Sequence, residues 1–130
     1  MGGRGASSGV SDKGNSYGSQ YHSLLTVGNI KFVSKNSRQS ESLMETMTKG
    51  RVYVTIGGDE IKSITYFDND NKRVKEINLD HQHNGMKPHT HHGYFHNEND
   101  GEKGATNPTT EEQQMIDRVT QIWENHLNGK

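Results

Sequence analysis

Residues 51–67 read RVYVTIGGDEIKSITYF. Val52, Val54 and Ile56 alternate with Arg51, Tyr53 and Thr55, the period-two repeat of a strand with one buried face. Gly57-Gly58-Asp59 then interrupts the run with hairpin-turn chemistry, since glycine takes positive φ at little steric cost. Residues 61–67 supply the returning strand. A hairpin at this point is the seed from which a sheet can be built in both directions.

Downstream, Asp68-Asn69-Asp70-Asn71 is a second turn, and residues 73–79 form a third strand with charge on its outer face. Asn84-Gly85 is a further turn signal. Pro88 cannot donate to a ladder, so it belongs at the start or the edge of a fourth strand, 88–96. Residues 97–107 are polar loop. Pro108-Thr109-Thr110-Glu111-Glu112 opens a helix, with Thr109 as N-cap and Glu112 three residues on as a capping box. Ile116, Val119, Trp123 and Leu127 recur at helical spacing, so one helix face is apolar. Upstream, a short strand is expected at 29–33, and 34–49 is polar with only Leu43, Met44 and Met47 to form a helical face. The first twenty residues are mostly Gly and Ser, which is flexible-linker composition. The expected fold is α+β: a four-stranded antiparallel meander packed against a C-terminal helix. Residues 21–130 form its single domain, behind a disordered tail at 1–20.

Only 27% of the 130 residues are apolar and the net charge is −1. The core is therefore thin, but the charge is too small for a fully disordered chain. The near-neutral balance argues against a general polyanion binder, so any nucleic-acid contact must come from a local patch. Cysteine is absent, which removes disulfides, thiolate metal sites and cysteine nucleophiles. No apolar run approaches the ~20 residues of a membrane span, and the N-terminus has no apolar segment of the secretory kind. A host-cytoplasmic protein with no membrane partner is the expectation.

The chemistry is expected between Asp80 and His96. His81, His83, His89, His91, His92 and His96 crowd this stretch, and histidine is the side chain whose unperturbed charge change lies near neutral pH. In a strand, His89 and His91 share one side while His92 and Tyr94 take the other. RNA cleavage without metal needs a base for the 2′-hydroxyl, an acid for the leaving oxygen and a cation for the developing phosphorane. On that reading His89, His91 and Tyr94 are the candidate catalytic residues, and Arg73, Lys75, Lys87 and His92 the candidate substrate contacts, with no cofactor. The alternative is a zinc site from Asp80, His81, His83, His89 and His91, because neutral imidazoles suit zinc. A solvated loop whose histidines carry no chemistry is the third reading.

Two stretches carry a resemblance. The opening MGGRGASSG resembles leaders found on proteins of Firmicutes phages, plasmids and integrative elements. METMTKGRVYVTI, ITYFDNDNKRVKEINLDH and HNGMKPHTHHGYFH, with the following helix, are similar to small phage-borne domains related to the barnase–EndoU–colicin–RelE-like nuclease group. This covers roughly residues 44–126. It implies an antiparallel meander with a histidine-bearing strand near its end, RNA as partner, and a possible metal-independent endoribonuclease activity. The leader and the size also resemble small anti-CRISPR proteins, which implies, as the alternative, an inhibitor acting on Cas9 or the Cas9–guide RNA complex.

Overall fold

The computed structural model describes residues 21–36, 50–68, 70, 72–79, 88–93 and 105–129. They form an α+β fold: a six-stranded mixed sheet in the order β1 to β6 and one C-terminal helix. The strands are β1 (Tyr21–Val27), β2 (Ile30–Lys35), β3 (Val52–Gly57), β4 (Glu60–Phe67), β5 (Arg73–Asn78) and β6 (His89–His92), followed by α1 (Thr110–Asn128).

The expected hairpin is present. β3 and β4 pair antiparallel around Gly58-Asp59, with Gly58 at φ 63°. That is left-handed geometry, which is why a glycine stands at this position. β4–β5 and β5–β6 are also antiparallel. The expectation of four antiparallel strands needs correction at the other end. β1 and β2 form a second hairpin around Gly28-Asn29, and β2 joins β3 in parallel, with Ile30 opposite Val52 and Phe32 opposite Val54. A parallel pairing needs a long connection, and residues 36–51 are the stretch between the two strands. Asn29 stitches the entry, its carbonyl accepting from Val52 N at 2.9 Å and its Nδ2 donating to the Gly50 carbonyl at 3.1 Å. The expected tail at 1–20, and Leu43, Met44 and Met47 of the weak helical face, lie outside the described residues.

α1 covers one face of the sheet. Ile116, Val119 and Trp123 pack on Ile30, Phe32, Val52, Val54, Ile56, Ile64 and Ile77. These are the period-two residues of β2 to β5 meeting the 3–4 spaced residues of the helix, so the two periodicities read from the sequence join in one core. Trp123 stacks on Phe32 with ring centroids 5.6 Å apart, and its Nε1 donates to the Asp59 carbonyl at 2.9 Å. The helix C-terminal half is thereby pinned to the β3–β4 turn. At its start the capping box is complete: Thr109 Oγ1 accepts from Glu112 N at 3.2 Å, and Glu112 Oε1 accepts from Thr109 N at 3.0 Å. Such a cap contributes about 1 kcal/mol.

Candidate functional site

The second face of the sheet is the polar one. Two rows of side chains cross it. One runs Tyr53, Thr65, Glu76, His91 and the other Thr55, Ser63, Asn78, His89, each residue opposite the next on the neighbouring strand. Directly opposed residues bring their Cβ atoms to about 5 Å, so β5 and β6 set Glu76 against His91 and Asn78 against His89. His89 is 0% exposed and His91 3%. Their rings meet edge to face with centroids 4.7 Å apart, and both Nε2 atoms are shut off from solvent.

Arg73 reaches this face through a backbone irregularity. In a regular strand, residues three apart point to opposite sides. Here Tyr66 pairs with Lys75 and Phe67 with Arg73, which leaves Val74 as an extra residue in β5. This β-bulge pushes Val74 out to 43% exposure, and Gly93 N donates to its carbonyl at 2.7 Å. Arg73 and Glu76 consequently share a side, with Arg73 Nη1 3.9 Å from Glu76 Oε2. Thr65 Oγ1 donates to the same carboxylate oxygen at 3.3 Å. Buried Arg73, Thr65, Asn78, His89 and His91, with the partly buried Glu76 among them, thus occupy one continuous patch.

The bulge also separates two residues that sequence spacing placed together. Lys75 turns to the helix side, where its Nζ binds Glu112 Oε2 at 2.8 Å and lies 4.6 Å from the centre of the Tyr66 ring. His92 stands opposite Lys75, on the same side. Neither of these candidate substrate contacts joins the paired histidines. Lys87 and Tyr94, and Asp80, His81 and His83 of the zinc alternative, lie outside the described residues. Among the described residues, no group of three or more His, Asp or Glu side chains is arranged to hold a metal ion, and no helix is long and apolar enough to cross a membrane.

Glu112 is the joint between the faces' supports. Its Oε1 accepts from Thr90 Oγ1 at 2.9 Å as well as from Thr109 N. Burial pushes its carboxyl up, but Lys75, the Thr109 N–H and Thr90 outweigh this and hold it below the usual carboxylate value of 4.5. Tyr66 is pushed up to about 12, by burial first and by the nearby Glu112 charge second. Sequence reading identified Glu112 as a cap and no more. Its contacts with β5 and β6 depend on strand register, which no local pattern reveals. Glu76, Thr65 and Asn78 were missed for the same reason, although the period-two spacing of Glu76 and Asn78 was visible.

No family model, curated protein or solved structure matches this chain.

Proposed function

We propose that this protein cleaves RNA without a metal, using His89 and His91 as its acid–base pair and Arg73 as the cation for the phosphorane. The edge-to-face contact of the two imidazoles, at 4.7 Å between centroids, carries the reading. It holds two imidazoles, the side chain most often used as general acid or base, side by side on one face of the sheet. Arg73 shares their side, and a guanidinium is suited to bidentate phosphate recognition. Glu76, opposite His91, is positioned to orient that imidazole. Asn78, opposite His89, adds an amide whose Nδ2 is buried with no hydrogen-bond partner among the described residues.

The chemistry asked of the pair is transesterification. One imidazole takes the proton of the RNA 2′-hydroxyl as that oxygen attacks the adjacent phosphorus. The other gives a proton to the departing 5′-oxygen, leaving a 2′,3′-cyclic phosphate and a 5′-hydroxyl. General acid–base assistance of this kind contributes about 10²–10⁴-fold. The test is cleavage of a fluorescent oligoribonucleotide in the presence of a chelator, by the wild-type chain and by His89→Asn and His91→Asn. Cleavage that falls at least 100-fold in each folded variant supports the reading. Equal cleavage by the variants removes the pair from the mechanism. A chain that instead protects a plasmid from Cas9, with both variants protecting equally well, replaces cleavage by the inhibitor reading.

A further inference from the structure

The histidine pair is closed to bulk solvent, at 0% and 3% exposure, so a phosphodiester reaches it only if something moves. We propose that the Thr90–Glu112 hydrogen bond is a latch: it holds β6 against α1, and its opening exposes His89 and His91. The consequence for substrate access rests on the acid–base reading above, whereas the latch itself does not.

Three observations carry it. First, β6 is the shortest of the six described strands, four residues, and the last in their order. Short outer elements are the first to open locally while the rest of a fold stays intact. Second, Thr90 lies between the two histidines and faces the other way. Strand alternation sends its side chain to α1 and theirs to the polar face. A bond that fixes Thr90 therefore fixes the facing of both rings at once. Third, Thr90 is 0% exposed, and its hydroxyl donates to a carboxylate already held on two other sides. Thr109 N binds the same oxygen, and Lys75 binds the other. Glu112 is thus anchored to the helix start and to β5, and Thr90 is the point at which it grips β6. A backbone bridge on the outer side of β6 pairs Thr90 with Thr106 in both directions, at 2.8 and 2.9 Å. This bridge ties the chain just ahead of the helix to the same residue, so Thr90 is gripped by side chain and main chain together.

Amide hydrogen exchange on the full chain tests the latch without using activity. Gly93 N, bonded to Val74, and Thr106 N, bonded to Thr90, report on β6, while Val54 at 0% exposure reports on the core. In Thr90→Val, which keeps the side-chain shape and loses the hydroxyl, exchange at Gly93 and Thr106 rises about tenfold or more, the scale expected for losing a bond to a charged acceptor. Carbethoxylation of His89 and His91 by diethyl pyrocarbonate rises with it. Val54 does not change, and Thr90→Ser stays within about twofold of wild type at every reporter. Glu112→Gln, which sets an amide against Lys75, moves the β6 reporters in the same direction and serves if Thr90→Val fails to fold. Unchanged exchange at Gly93 and Thr106 overturns the latch, and so does an equal rise at Val54. A working latch on a chain that cleaves no RNA would sink the cleavage reading alone. RNA cleavage with β6 exchange unmoved by the variants would sink the latch alone.

Discussion

Arg73 and Lys75 show what a single residue decides. They are two apart and would share a face in any regular strand, yet the extra residue Val74 sends Arg73 to the face that carries the histidines, beside Glu76, and Lys75 to Glu112. Buried groups on the two faces should therefore respond differently to substitution. Ile77→Ala, on the helix face and 0% exposed, is expected to cost about 2–5 kcal/mol of stability through cavity formation. It should leave RNA cleavage per folded molecule unchanged. His91→Asn should do the opposite, lowering the rate at least ~100-fold while leaving the chain folded. Urea denaturation read alongside a cleavage assay separates the two. A rate loss in Ile77→Ala equal to that in His91→Asn would mean that the faces are not functionally distinct. The pairing of His89 with His91 was legible from spacing alone. The position of Arg73 was not, because a bulge is set by how two strands match in register and not by the residues of either one.

At the scale of elements, the local signals held where one element was enough to generate them. The β3–β4 hairpin has alternation and a glycine turn, and α1 has its cap and its 3–4 spacing. Each is written within a few residues. β1 carries no apolar alternation to mark it as a strand, because its side chains are partly or fully exposed. The parallel join of β2 to β3 is a non-local pairing with no sequence signature. The capping box is the element feature most open to measurement. Thr109→Ala removes the hydroxyl acceptor for Glu112 N and is expected to cost about 1 kcal/mol, seen as a lower urea midpoint with an unchanged slope. An unaltered midpoint would show that the hydroxyl does not hold the helix start. Glu112 itself would remain bound by Thr90 and Lys75.

For the whole molecule, one carboxylate binds the helix to the outer half of the sheet, and its charge is what the bonds require. Because the folded-state pKa of Glu112 lies below the usual 4.5, its contribution is fully present above that value. It is lost as pH falls through the folded pKa. Tyr66 behaves in the opposite sense: raised from 10.0 to about 12, it contributes below pH 10 and weakens the fold as pH climbs towards 12. Stability against urea should accordingly fall at both ends. Glu112→Gln should flatten the acid limb and Tyr66→Phe the alkaline limb. An acid limb as steep in Glu112→Gln as in wild type would assign acid sensitivity to other groups.

In the proposed reaction the paired imidazoles activate an oxygen belonging to the RNA itself. Mass spectrometry of the products decides it most directly. Two oligonucleotides of one sequence are compared in chelator, one all-ribose and one with a single 2′-deoxyribose on the 5′ side of the cleaved phosphate. A 2′,3′-cyclic phosphate is expected from the first and no cleavage at that bond in the second. Cleavage of the deoxy-substituted bond, or a 5′-phosphate product from either strand, would contradict it.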